Sequence, residues 1–411
     1  MSEKIIQIIA RFCDTPISEI NESTNLLSDL HMESMNFIDM VCELEEQFNR
    51  KIPERDFRKL ITVKKIKAYL GDVAETKKAS LEHDDTNQSS FKKSHCVVSP
   101  MTGRLAETIP ELVMSVYGAN YPATYLYKPE EFKKKADNGE IYPYIAINGD
   151  GKAAGMISLI RLSVNKNAFE LGQLMVAPEY RGTDVAELLI SCISHQELKF
   201  GVIYSESVTG HLFSQRSCIA DGFTDTALKL NIMPAYQEDN NGRVSCVVSC
   251  IERGELELWA YLPQAYKDSL VFSMKGLSPR VFRNASDTAP DNPTCYEINS
   301  DELLTSQYII ISFTEIGADS ERAVNEIEKY ALDNEIKSMA VKLPLSCPHN
   351  GQLVNALREK GYFFGGVMPR WYEHSDGLLM QKLYSNTADW DSIKLFSEKI
   401  QGVAEIIKKD V

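Results

Sequence analysis

At 411 residues the chain is longer than one typical domain, and a formal net charge of −14 sets it against any polyphosphate partner, so nucleic acid is excluded as a ligand. No run of about 18 apolar residues occurs, and no basic stretch precedes an apolar one near residue 1, which predicts neither membrane span nor leader and a cytoplasmic location. The nine cysteines are odd in number, lack a Cys-x-x-Cys pair and fall mostly in apolar runs, so they read as reduced packing residues and no metal site is expected.

Residues 1–50 hold 10 acidic and 3 basic side chains, an acidic surface suited to docking basic partner enzymes or simply to solvation. Within it Ser34 stands between Glu33 and Met35 at the head of a helix that is apolar at Phe37, Met40, Val41, Leu44 and Phe48, one face of a small bundle. A hydroxyl in that place lies near unsatisfied amides and the positive end of the dipole, which suits a phosphodiester and equally a plain N-cap. The pattern continues through Leu44-Glu45-Glu46-Gln47-Phe48-Asn49, Ile52-Pro53 and a last helix opened by Ile61-Thr62-Val63 and carried by Ile66 and Leu70.

Residues 3–75 resemble an acyl carrier protein, whose Asp-Ser-Leu signature takes 4'-phosphopantetheine on the serine. Here the triplet is Glu33-Ser34-Met35, which keeps the charge and the apolarity of its flanks. The resemblance implies an all-α four-helix bundle over 1–75, a covalent arm on Ser34, a phosphopantetheinyl transferase to install it and a carrier-loading enzyme to charge it.

Residues 76–95 are polar and almost without aliphatic side chains, so they cannot bury a core and read as a flexible linker spanning roughly 25 Å. Over 96–236 strand-like and helical periods alternate. Gln173-Leu174-Met175-Val176, then Arg181-Gly182-Thr183-Asp184-Val185-Ala186, with Gly222-Phe223 downstream, resemble a GNAT-superfamily N-acyltransferase.

That resemblance implies a donor strand at Gln173, Leu174, Met175 and Val176 whose amides pair with pantetheine. It also implies a loop from Arg181 to Ala186 whose amides receive the pyrophosphate of CoA or acyl-CoA. Arg181, Gly182 and Ala186 fit the loop pattern, whereas Asp184 replaces its central glycine and brings a negative charge. Two explanations stand: Asp184 turns away as a helix-start residue, or the loop has lost CoA and serves a donor held on Ser34.

Attack of an amine on a thioester needs a base, a polarised carbonyl and a proton for the leaving thiolate. Glu170 lies where family members place a catalytic carboxylate, Glu206 ends the next strand within reach of the cleft, and each is also an ordinary strand carboxylate. The tyrosine that donates the proton in relatives is replaced by Cys218, which leaves His211 as proton carrier or as a plain loop residue. Tyr117, Tyr121, Tyr125 and Tyr127 sit near the acceptor-side loop, as pocket walls or as packing around a Pro turn.

Over 237–411 the order strand from Tyr308, helix from Glu321 to Asn334, strand from Ser338 and helix ending at Gly361 recurs, with Asn350 placed before Gly361 as His211 is before Gly222. A second, degenerate GNAT-like unit is expected, unable to bind CoA because Glu315–Arg322 lacks the loop pattern. Its Pro369-Arg370-Trp371-Tyr372 segment either lines a groove or forms an aromatic turn. The expected whole is a multidomain chain: a carrier bundle, a linker, then α+β tandem GNAT-like domains with mixed, partly parallel sheets. It would move an acyl group from CoA or the Ser34 arm to a small amine or amino-acid-like acceptor in a specialised biosynthetic pathway. Two alternatives remain open: a GNAT-like decarboxylase or S-acyltransferase that loads its own carrier, and a non-catalytic carrier-docking module.

Overall fold

The structure is a computed structural model describing residues 2–13, 15–26, 29, 30, 40, 41, 43, 44, 47, 48, 52, 60, 62–71 and 93–411, less 120, 122, 163, 195–200, 235–242, 255, 256, 300–305, 385 and 386. At the N-terminus α1 (Ser2–Ala10) packs on α2 (Val63–Gly71). Ile5, Ile9, Leu26, Met40, Leu44 and Val63 close a core of their own. Ser34, most of the expected acidic helix and residues 76–92 of the expected linker lie outside the described residues.

A sheet of 12 strands builds the rest of the molecule. Its first strands are β1 (Val97–Pro100), β2 (Ile141–Ile147), β3 (Ala153–Arg161), β4 (Ala168–Val176), β5 (Val202–Val208), β6 (Thr224–Pro234) and β7 (Arg243–Glu252). A separate parallel pair, β8 (Leu258–Leu262) and β9 (Arg280–Asn284), precedes β10 (Cys295–Asn299), β11 (Tyr308–Glu315), β12 (Ser338–Pro344), β13 (Phe363–Tyr372) and β14 (Ser375–Leu383). The spatial order is β1-β2-β3-β4-β5-β7-β6-β13-β14-β12-β11-β10. Only β4–β5 and β11–β12 are parallel neighbours within it, so the sheet is mixed.

Helices α3 (Gly103–Ala106), α4 (Ile109–Tyr117) and α5 (Pro129–Asp137) lie between β1 and β2. Each parallel pair needs a crossover. α6 (Val185–Ser194) joins β4 to β5, and α7 (Phe213–Ala220) joins β5 to β6. After α8 (Lys267–Ser273) the plan repeats: α9 (Ser320–Asp333) joins β11 to β12 and α10 (Asn350–Glu359) joins β12 to β13, while α11 (Glu398–Asp410) closes the described chain. The β-branched run Ile309–Ile311 with the aromatic Tyr308 and Phe313 in β11, and the spacing of Ala323, Val324, Ile327 and Ala331 on α9, explain these elements locally.

The two α+β units meet through equivalent strands. β6 and β13 each follow a left-handed glycine, Gly222 (φ 85°) and Gly361 (φ 82°), and each later carries a left-handed non-glycine, Asn231 (φ 55°) and Arg370 (φ 51°). They pair antiparallel at Ala227 and Gly366. A Cβ on Gly366 would sit 2.4 Å from the Ala227 Cα, so only glycine allows the join. α11, capped where Ser397 accepts from the Ile400 amide at 3.1 Å, packs across both strands. The expected boundary at 236/237 separates β6 from β7, yet β7 is inserted between β5 and β6 because the sheet closes by that hairpin.

Candidate functional site

The cleft arises where β4 and β5 part. Their parallel pairing runs only from Ala168 opposite Val202 to Glu170 opposite Tyr204, after which the two strands no longer pair with each other, β4 staying on β3 and β5 on β7. Gln173 takes φ 57° in β4, opposite an irregular register in β3, and its side-chain amide donates to the Tyr125 hydroxyl. Beyond it Leu174 is exposed, Met175 is buried against the α4–α5 side, and Val176 packs on the α6 side.

The turn after β4 leaves Arg181 exposed and Gly182 at φ 69°, and α6 begins at Val185, which is buried beside β2 and β3. The Thr183 amide donates to the Tyr180 carbonyl at 3.1 Å and the Leu188 amide to the Asp184 carbonyl at 2.8 Å. First-turn amides of a helix, that of half-buried Ala186 among them, have no intrahelical acceptor, so the place retains an anion-facing character. The Asp184 carboxylate accepts from the Ser94 backbone amide at 2.8 Å, tying the loop to the segment that leaves the expected linker.

The equivalent loop of the second unit is filled by its own chain. Gly317 donates to the Thr294 hydroxyl at 3.0 Å, Ala318 donates to the Pro290 carbonyl at 2.9 Å, and a Cβ at Gly317 would meet the Asn292 carbonyl oxygen at 1.7 Å. That leaves no cradle for a phosphate there.

On the acceptor side, strand alternation puts Glu170, Glu206, Lys229 and Lys342 on the face that also carries buried Ala168, Tyr204, Ala227 and Ala340. Glu206 is ion-paired with Lys229; 24 % of the Glu206 side chain and 3 % of the Lys229 side chain is exposed. Burial alone would push the Glu206 carboxyl up, and the Lys229 ammonium outweighs this and holds it below its ordinary value. Lys229 in turn is pulled down by burial and raised more strongly by Glu206, so it stays charged. The pair is a fixed dipole at the cleft wall, and Glu170 occupies the last position of β4 still paired with β5.

Tyr117 and Tyr121 stack with centroids 4.6 Å apart, and the Tyr127 hydroxyl donates to the Gly118 carbonyl at 2.7 Å while accepting from the Tyr121 amide at 3.0 Å. Burial raises the Tyr117 hydroxyl and the nearby Arg181 opposes it, so this loop reaches the donor turn. Cys218 is a buried thiol that donates to the Ser205 hydroxyl at 3.1 Å, and burial pushes its pKa up.

His211 is 4 % exposed. The segment Lys394–Phe396 is stitched across its loop. Lys394 donates to the Thr209 carbonyl at 2.8 Å, and the Gln215 side-chain amide donates to the His211 and Lys394 carbonyls at 3.1 and 2.9 Å. Neither ring nitrogen has a hydrogen-bond partner, and burial, then Lys394, draws the pKa down to about 4. The ring is therefore neutral at physiological pH and covered.

Lys229, Lys342, Tyr308 and Trp371 were not singled out from sequence as site residues, although the aromatic segment around Trp371 was noted. The structure brings all four to the acceptor-side core. Among the described residues no group of three His, Cys, Asp or Glu could hold a metal ion.

Residues 3–70 match the family model described as a phosphopantetheine attachment site. Over 70 residues the chain is 30 % identical to the acyl carrier protein of Chlamydia caviae, covering 17 % of this chain and 91 % of that protein. It is 36 % identical to that of Syntrophobacter fumaroxidans, covering 17 % of this chain and 86 % of that one. The N-terminal segment belongs to the acyl carrier protein family. In the acyl carrier segment the attachment residue expected from the motif is Ser34.

The α+β body is similar to solved acetyltransferases. One is the ribosomal-protein-S5-alanine acetyltransferase of Vibrio fischeri, with 15 % identity, 40 % of this chain, 97 % of that chain and a TM-score of 0.33. Another is the spermidine/spermine N-acetyltransferase of Vibrio cholerae, with 16 %, 38 %, 92 % and 0.31.

Proposed function

We propose that the chain is a carrier-fused acyltransferase, in which an acyl group held as a pantetheine thioester on Ser34 passes to a small amine in the β4–β5 cleft. The observation that carries this is the bond from the Ser94 amide to Asp184: the chain emerging from the linker is fastened to the donor loop itself. A carrier on roughly 25 Å of coil then samples that loop at an effective concentration in the millimolar range. The same bond spends the Asp184 carboxylate on protein and leaves helix-start amides for one phosphodiester.

The thioester supplies an activated acyl group. Unpaired amides of β4 beyond Glu170 polarise its carbonyl, Glu170 takes the proton from the amine, and the Glu206–Lys229 pair orients the acceptor. Phosphopantetheinyl transferase and a loading enzyme are the implied partners, the carrier folds as a four-helix bundle, and the setting is a cytoplasmic biosynthetic pathway.

A labelled acyl group on Ser34, chased with excess unlabelled acetyl-CoA and mixed amines, tests the donor. Label appearing undiluted in the amide product supports the carrier. Product diluted to the specific activity of the CoA pool would assign the loop to free acyl-CoA.

A second reading has one observation in its favour. The position expected to hold the leaving-group acid is the buried, raised thiol of Cys218, which suits S-transfer to the carrier or decarboxylation better than amide formation.

A further inference from the structure

Lys342 is a buried amine without a hydrogen-bond partner or counter-ion bonded to it. It lies in β12, whose seven residues are all buried, so its stem has no path along which to extend its ammonium into water. Its Nζ sits 3.1 Å from the centroid of the Trp371 ring and makes no hydrogen bond. The Trp371 Nε1 and the Tyr308 hydroxyl, buried in the same core, also have no partner. An ammonium and an indole N–H can only donate, and the Tyr308 hydroxyl, which can also accept, is bonded to neither.

The one carboxylate bonded nearby, Glu206, is taken by Lys229. Burial first, and then the charge of Lys229, pull the Lys342 pKa well below the ordinary lysine value. A ligand bringing negative charge would reverse that balance, in the direction in which the fields of Glu206 and Glu170 already act on Lys342. Glu206, whose field reaches Lys342, keeps 24 % of its own side chain exposed.

We propose that Lys342, flanked by the Trp371 indole, is the seat of a carboxylate monoanion, so that the acceptor is an amino acid rather than a simple amine. The inference rests on the acyl-transfer reading for the position of the amine and not for that of the carboxylate. On this arrangement the amine lies toward Glu170 and the cleft, while the carboxylate faces the second unit. This gives the degenerate half of the sheet a part in specificity. Lys342 positions the acceptor and takes no part in moving protons.

Binding can be read without turnover, which separates a failure of this inference from a failure of acyl transfer. The full chain is titrated at neutral pH, by thermal melting and calorimetry, with each proteinogenic amino acid and with its decarboxylated amine. At least one amino acid should raise the melting temperature while its amine does not. Lys342→Met should weaken that amino acid by at least about thirtyfold, and Trp371→Phe, which keeps the ring and removes the N–H, by roughly threefold to tenfold. Should Lys342→Met fail to fold, Trp371→Phe alone decides. Equal binding of acid and amine, no binding by any amino acid, or unchanged affinity in the folded variants would overturn the proposal.

Discussion

The Glu206–Lys229 pair shows what a single residue contributes here and why sequence concealed it. Sequence offers Glu206 as a carboxylate within reach of the cleft, and the structure pairs it with a buried ammonium. Glu206→Gln leaves that ammonium uncompensated, and the expected cost is on the order of 3 kcal/mol, read as a lower urea midpoint with an unchanged slope. Glu170→Gln should leave stability within about 0.5 kcal/mol and lower kcat by roughly a hundredfold or more. Lys229 and Lys342 lie in Leu-Lys-Leu and Val-Lys-Leu, where alternation alone assigns lysine to solvent. Only the facing of two half-sheets makes that side an interior.

His211 belongs to the same scale. In the folded chain it stays neutral down to about 4, whereas the unfolded chain takes up a proton at the ordinary 6.5. Between those values the unfolded state holds more protons, so stability falls as pH drops from 6.5 toward 4 and is fully present above 6.5. The effect is about 3 kcal/mol, and His211→Gln should flatten the denaturation midpoint across that window. An unchanged slope would mean the ring titrates normally.

At the scale of elements, periodicity placed much of the second unit. The helix expected from Glu321 to Asn334 is Ser320–Asp333, and the strands expected at Tyr308 and Ser338 begin at those residues. Recurrence of the glycine after each second helix identified the repeat. Apolar alternation could not reveal where β7 lies, because a strand's spatial neighbour depends on closure and not on its own pattern. Gly366 is the pivotal position: Gly366→Ala places a Cβ against Ala227 at a φ of 130°. It should cost at least about 2 kcal/mol and unfold the two α+β units at separate midpoints. A single unshifted transition would contradict the β6–β13 join as the seam.

Across the molecule, a carrier segment and a cleft become one device only if Ser34 serves this cleft. The expectation at Ser34 rests on a local motif that sequence spacing records, and Ser34 itself lies outside the described residues. The site opposite was legible only in part, since Asp184, Ser94 and the acceptor-side charges are joined by tertiary folding. Asp184→Ala should leave the fold intact and lower the single-chain transfer rate at least about tenfold, with a smaller effect on transfer between chains at high concentration.

Intact-protein mass spectrometry after pantetheinylation and acyl loading tests the central claim most directly. The account predicts a pantetheine adduct absent from Ser34→Ala and an acyl increment that disappears on adding amino acids to the native chain but persists in Glu170→Gln. An adduct retained in Ser34→Ala, or an acyl group lost equally fast from both chains, would contradict it.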